Sequence, residues 1–319
     1  MTKRDWIVWM AGPVALLALG FCLLAGAAGW GIPSDVIFRL RLERMVAGFV
    51  VGAALAAAGT VFQALLRNPL AEPYVLGVSS GAGLGAAFAI LSGAAAWHVA
   101  TMPLIAFVFG AATLFLVYRL ALVGGRASVY GLVLSGVIVS SVCSSMLMFL
   151  IWVSPTPVLH GIIGWMLGNL EVYSRPLLLT ASVAVALGVV AIRAMAPELN
   201  ALTLGGDAAH YAGVRTRVAV PLGLGLATLT AAAGVSLGGL IGFVGLVVPH
   251  GVRAIVGADH RRLVPVSALA GGVFLAVCDA VARLVLAPRE LPVGVVTAMI
   301  GGPFFLLILR RRRRGGWLE

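Results

Sequence analysis

The chain has 319 residues, of which 61% are apolar and 10% charged, and its 22 Lys and Arg against 11 Asp and Glu give a net charge of +11. A soluble globular domain carries about 25% charged residues, so this composition excludes a water-covered surface and requires lipid as solvent over most of the chain. The positive charges flank apolar runs instead of lining one face, which argues against a nucleic-acid groove and for membrane orientation.

A spanning helix requires about 20 apolar residues, and the charges mark where each one stops. The N-terminal run from Trp6 to Ser34 holds no charge until Asp35, is too long for a signal-peptide core and shows no small-residue cleavage site. It predicts a retained first span over residues 7–28. A second span is predicted between Arg44 and Arg67. The uncharged stretch between Glu72 and Arg119 has room for two spans, divided around residues 93–102. Residues 126–171 give a fifth span and then a shorter amphipathic helix after Pro155 and Pro157. A sixth span is predicted over 175–193. Residues 217–253 supply a seventh and an eighth, broken near 235–239, and the last two are predicted over 263–286 and 291–309. The expectation is an all-α membrane protein, a polytopic bundle of about ten transmembrane helices forming one domain over residues 1–319. With both termini on one side, sixteen of the 22 Lys and Arg fall on that side, including the run Arg310 to Arg314, so both termini are predicted cytoplasmic.

Glycines four apart, Gly48 and Gly52, Gly81 and Gly85, and Gly234, Gly238 and Gly242, predict seams where helices pack closely. Cys22, Cys143 and Cys278 lie far apart in apolar runs and show neither metal-ligand spacing nor a disulfide framework, so they are expected to be packing residues.

Four stretches are not explained by spanning alone. Arg39, Arg41 and Arg44 place positive charge on the side that should be poor in it, as snorkelling cations or as a contact for an acidic partner. Residues 63–73 carry Pro69 and Pro73, which end a helix, and Gly77 to Gly83 open the next one. Residues 196–217 form the most polar long connection. Within it Asp207 is predicted near the start of a two-turn helix that Gly213 ends, a poor membrane anchor but a suitable knob for a soluble partner. Finally, Asp279 and Arg283 are four apart on one helix face, either a structural pair or a partner-facing arginine. No Walker A, HExxH or GxSxG motif is present, and no His stands at ligand spacing from a Cys or carboxylate. Energised transport by such a chain requires an ATPase on another chain.

Several motifs in order resemble one family. They are Arg41 to Arg44 leading to Gly52-Ala53-Ala54-Leu55 and Gln63, Arg67-Asn68-Pro69-Leu70-Ala71-Glu72-Pro73, and Gly242-Phe243-Val244-Gly245 through Pro249-His250. Asp259-His260-Arg261 and Glu290-Leu291-Pro292-Val293-Gly294 follow. Together they resemble the FecCD-type permeases of bacterial ABC importers for ferric siderophores, haem and vitamin B12. The resemblance implies a non-catalytic permease of the bacterial inner membrane, working as a homodimer with two ATP-binding cassette subunits and an extracytoplasmic solute-binding protein. ATP and Mg would be bound on the partner ATPase, and this chain would hold no cofactor or metal. It implies that Leu204, Gly205, Gly206, Asp207, Ala208, His210, Tyr211 and Gly213 couple to the ATPase, and that Arg41, Arg44 and Arg283 meet glutamates of the binding protein. It further implies that the fifth span lines the solute pathway with Ser128, Val129 and Tyr130 at a narrow cytoplasmic gate and Ser140, Ser141 and Ser144 beyond it. Tyr130 departs from the small hydroxyl residues found there in relatives. Hydroxyls and apolar groups would bind solute weakly, as release requires, although any one Ser can equally bond its own helix backbone. A ferric siderophore or haem is the expected cargo, with vitamin B12 as the alternative.

Overall fold

The computed structural model describes residues 3–24, 34–123, 126–172 and 174–314. In lipid every backbone polar group needs an internal partner, and helices provide one within each segment. The chain accordingly folds as α1 (Lys3–Leu24), α2 (Asp35–Leu65), a 3-10 turn (Pro73–Leu76), α3 (Val78–Leu91), a second 3-10 turn (Ala94–Ala96) and α4 (Thr101–Leu120). A ribbon of two-residue strands, β1 (Leu122–Val123) and β2 (Arg126–Ala127), pairs antiparallel with Leu122 opposite Ala127. Then come α5 (Val129–Val153), α6 (Thr156–Met166), α7 (Arg175–Ala194), α8 (Ala196–Thr203), α9 (Gly206–Tyr211) and α10 (Thr216–Gly238). The last three are α11 (Val244–Val256), α12 (His260–Val285) and α13 (Val293–Arg314). Six of these helices are long and apolar enough to cross a membrane, namely α2, α4, α5, α7, α10 and α12. Four shorter apolar helices, Gly12–Leu24, Val78–Leu91, Val244–Val256 and Val293–Leu307, stand at the other predicted span positions. Residues 25–28 of the predicted first span lie outside the described residues.

The bundle is built around α2. From Ala47 to Leu66 nearly every residue is buried, as expected of a helix that is apolar on all sides. Its sequence there is mostly Gly, Ala and Val, and α12, α10, α11 and α7 surround it. Small side chains set the distances. A methyl group on Gly52 would overlap the backbone carbonyl of Gly271 in α12, so the two helices meet backbone to backbone. Gly48 faces Ala276 on the same side, and Gly81 and Gly85 of α3 both face α4 through Thr113 and Phe109. Two of the predicted seams are therefore helix–helix contacts. In the third, Gly234 and Gly238 face Ala54 and Val51 of α2, while Gly242 lies beyond the end of α10 against Tyr74.

The break predicted near residues 235–239 comes slightly later, over residues 239–243, with Gly239 and Ile241 buried, and α11 begins inside the bundle with Val244 fully buried. Irregular backbone at such a place requires partners, and neighbouring turns supply them. Asn169 N–H donates to the Gly238 carbonyl at 3.0 Å, and Gly294 N–H donates to the Leu167 carbonyl at 3.2 Å. Two elements depart from the expectation: the short β1–β2 ribbon and the separate helix α8, which the sequence left inside a connection. In contrast to α2, most large side chains of α5 and α7 face outward, among them Val137, Ile138, Met146 and Phe149 of α5.

The backbone contact at Gly52 gives the first expected outcome. Gly52→Ala must push α2 and α12 apart, and overpacking of this kind costs about 1–3 kcal/mol. Gly225→Ala, at a position with open space around it, should be neutral. Thermal unfolding of the two variants in detergent compares them directly.

Candidate functional site

One end of the bundle carries α8 and α9. Leu199 and Leu202 of α8 are buried against the core, and α8 packs on α2, α10 and α12. The chain then turns at Gly205 into α9, where Asp207 stands in the first turn, favourable to the positive end of the helix dipole. The helix stops as the sequence predicts. Gly213 adopts φ +82°, its N–H donates to the His210 carbonyl, and Val214 N–H reaches back to the Ala209 carbonyl, both at 2.9 Å. This paired closure satisfies the last carbonyls of the helix and favours glycine at that position. Ala209 is buried, and the predicted residues Gly206, Asp207, Ala208 and His210 are all exposed. Leu204 and Tyr211, 78% and 88% exposed, project from the two ends of the element. The outcome is a short helix with Ala209 seated and two large side chains, Leu204 and Tyr211, offered outward.

Beside it lies a cavity of about 370 Å3. Gly206, Asp207 and His210 form one wall, and Ser128, Val129 and Leu132 of the α5 start form the other, with Arg67 and Arg217 between them. Two groups of residues that the sequence predicted separately thus share one space. Ser128 caps α5, its hydroxyl accepting from Gly131 N–H at 2.9 Å. Tyr130 points outward and is 77% exposed. Farther along α5, Ser141 and Ser144 are on the exposed face, whereas Ser140 is half-buried and turned toward Gly77. Ser141 donates to the Val137 carbonyl of its own helix at 2.9 Å.

At this end the sequence missed Asn200. From α8 its carboxamide NH2 donates to Asp259 Oδ1 at 2.7 Å, while its carbonyl oxygen accepts from His260 N–H at 2.9 Å. Asp259 also accepts from Arg261 N–H at 3.0 Å, which caps α12. The amide of Asn200, then the Arg261 N–H, hold the Asp259 carboxyl below its ordinary range.

The opposite end holds a charge cluster between α2 and α12. Asp279, with no exposure, sits between two arginines: Arg44 Nε lies 2.8 Å from Asp279 Oδ1, and Arg283 Nε lies 3.1 Å from Oδ2. Arg44 also bonds Glu290 through Nη1 at 2.5 Å. Arg41 is buried and donates from Nη1 to the carbonyls of Leu23 and Leu24, both at 3.0 Å. It thereby covers orphan carbonyls at the C-terminus of α1. Of the two readings left open for Asp279 and Arg283, the structural pair is present, widened to include Arg44. Arg39 and Arg289 are the cations exposed nearby, and Glu43 pairs with Arg175.

Removing one member of such a buried group strands the others, at a cost of about 3–5 kcal/mol. Asp279→Ala should lose that much thermal stability in detergent, and adding Arg283→Met should recover part of it by taking away one stranded cation. Equal stability of Asp279→Ala and the parent would show that the cluster is not holding α2 to α12.

The family relationship can now be set beside this geometry. The FecCD transport family model matches residues 10–311. The chain is 41% identical over 280 residues to the cobalamin import system permease protein BtuC of Halobacterium salinarum, covering 87% of this chain and 74% of that one. It is 38% identical to the hemin transport system permease protein HmuU of Yersinia pestis, covering 84% and 81%. It is also 38% identical to the vitamin B12 import system permease protein BtuC of Escherichia coli, covering 95% of each. Among solved structures, a metal-chelate type ABC transporter in an inward-facing conformation superposes with a TM-score of 0.87 at 30% identity, over 97% of this chain and 99% of that one. The chain belongs to the FecCD transport family and is a multi-pass membrane permease of the ABC-importer type.

Proposed function

We propose that the chain is the pathway-forming subunit of an importer for a macrocyclic metal chelate, cobalamin or haem, with ferric siderophore as the third candidate. Two copies would pair in the cytoplasmic membrane of a bacterium, each one a single ten-span domain with both termini inside. A separate ATPase would bind at α9 and a solute-binding protein at the Asp279 end. The observation that carries the proposal is the outward-facing helix α9 standing across one small cavity from the start of α5. A displacement of α9 by a soluble partner would change the space in front of the helix whose outward face carries Ser141 and Ser144.

Other features agree with this. The chain has no nucleotide motif of its own, so the driving reaction belongs to a partner. The end bearing α9 collects most of the Lys and Arg, which is the cytoplasmic bias. The largely unburied face of α5 suits a passage shared with a second copy. For docking, Arg44 is the best placed of Arg41, Arg44 and Arg283. Its side chain is 15% exposed, and its partner Glu290 is exposed enough for an acidic partner to displace. Arg41 and Arg283 support it from beneath. The choice of cargo rests on the names of the two relative classes, cobalamin and hemin permeases.

The test is uptake into proteoliposomes holding the chain with its ATPase and binding protein, with cyanocobalamin, haemin and a ferric siderophore offered in parallel. One of them should accumulate, and only with hydrolysable ATP. Accumulation without ATP would overturn the importer. In the same vesicles Asp207→Lys with Gly213→Val should lower uptake per ATP by about tenfold while hydrolysis continues, a size typical of coupling free energies. Unchanged uptake per ATP would exclude α9 as the transmission point.

A further inference from the structure

We infer that Asn200 is a positioning residue for coupling, the joint through which displacement of α9 reaches the core of the bundle. The inference rests on the coupling role proposed for α9. Between α9 and the core stands α8, eight residues long, which adjoins α9 on one side and packs on α2, α10 and α12 on the other. Most of that packing is apolar and non-directional, with Leu199 and Leu202 within the hydrophobic core cluster. Asn200 differs because its contacts are directional.

Both ends of its carboxamide are committed to the first turn of α12. The NH2 group holds the N-cap carboxylate of Asp259 at 2.7 Å. The carbonyl oxygen receives the His260 main-chain N–H at 2.9 Å and lies 2.7 Å from His260 Nδ1. His260 itself is 1% exposed, so the grip reaches a buried ring and not a frayed surface turn. Asn is a poor helix former, and on α8 its use is explained by these bonds rather than by local propensity. The receiving helix is the one whose backbone meets that of α2 at Gly52 and Gly271. It ends at the charge cluster of Asp279 and Arg283. A pull on α8 is therefore delivered to the first turn of a 26-residue helix, with Pro265 in its second turn, that contacts the central helix and carries that cluster.

The chemistry permits a swap experiment. Asn200→Asp places a second carboxylate against Asp259 and removes the amide donor between them. Asn200→Asp with Asp259→Asn re-forms the bond between the two helices with donor and acceptor exchanged, giving up the Arg261 N–H cap that shares Asp259 Oδ1, and the carboxylate introduced on α8 still accepts from the His260 N–H. The complete transporter is reconstituted with its ATPase and binding protein. Uptake, ATP hydrolysis and thermal unfolding are then measured on the same preparations, using the cargo that the parent transporter accumulates.

Asn200→Asp should continue to hydrolyse ATP while uptake per ATP falls about tenfold. The swapped pair should return to within about twofold of the parent, as compensating neighbours do. Asn200→Ala, which removes the bonds without adding charge, provides the same comparison if Asn200→Asp does not fold, and it too should lose uptake per ATP. A merely structural role predicts that uptake and hydrolysis fall together with the folded fraction, leaving their ratio unchanged. That result, or a swapped pair that folds and hydrolyses ATP yet stays uncoupled, would overturn the inference. Failure of the underlying reading looks different: Asp207→Lys with Gly213→Val would then remain fully coupled, whatever Asn200 does. If that variant uncouples and the Asn200 variants do not, only the joint is wrong.

Discussion

The backbone contact between α2 and α12 at Gly52 and Gly271 is the constraint on which the rest of the bundle depends. In water such an approach would be one of many ways to bury apolar area. In lipid the hydrocarbon is as apolar as a leucine side chain, so helices gain little by simply hiding from solvent and associate through close packing. Residues 47–65 of α2, mostly Gly, Ala and Val, supply that packing, which lets several helices approach one axis at once. The same smallness leaves little slack. A helix held backbone to backbone cannot bend independently of its partner, so α12 and α2 respond together to a load at either end.

The two ends of α12 are built differently. At the Asp259 end one carboxylate is held by the neutral amide groups of Asn200 and the Arg261 N–H and caps the helix start. At the other end one buried carboxylate serves two guanidiniums. Burying these charges costs several kcal/mol per ion before their attraction is counted, so an apolar trio of similar volume would hold α2 to α12 at least as well. A charged cluster differs from an apolar one in what it can exchange. Arg44 is shared between a fully buried carboxylate and the exposed Glu290, and an acidic surface arriving from outside competes only for the outer bond. The inner bond to Asp279 keeps the arginine in place while that exchange occurs. An internal brace and a docking contact are thus compatible in one side chain, whereas Arg41 and Arg283, at 6% and 4% exposure, serve the brace.

Much of the fold was legible because its determinants are local. Charge-free runs locate the helices, Pro155 and Pro157 mark α6, and Gly213 marks the end of α9. Each of these is a property of a few consecutive residues. The seam glycines were legible as seams, but their partners were not: that Gly52 meets Gly271 is a fact about residues far apart in the chain. Asn200 failed to stand out for the same reason. On α8 it reads as an unremarkable polar residue in a polar stretch, and its meaning comes from Asp259 and His260. Asp279 was read with Arg283 because four residues separate them on one helix, while its bond to Arg44, 235 positions away, has no local signature. The serines of α5 show the limit most clearly. The family resemblance implied one common lining, yet Ser140 turns toward Gly77 while Ser141 and Ser144 face outward, because successive helical residues point about 100° apart.

The cavity between α9 and α5 acquires its meaning from packing density. Protein interiors are filled nearly as well as organic crystals, and a closely packed contact transmits force but leaves no room for travel. The α2–α12 crossing is of that kind. Against α5, by contrast, α9 is separated by about 370 Å3 of space whose lining mixes Arg67, Arg217, His210 and Ser128 with Leu65, Leu132 and Val220, and the polar groups offer partners to water there. Free volume on one side of α9 and a hydrogen-bonded joint behind it on α8 are complementary requirements. Under the coupling role proposed for α9, the first would let the helix move toward the start of α5 and the second would carry that movement to α12. A change in the cavity and a change at Asn200 would then act on one displacement, the cavity fixing how far α9 can travel and Asn200 how much of that travel arrives in the core.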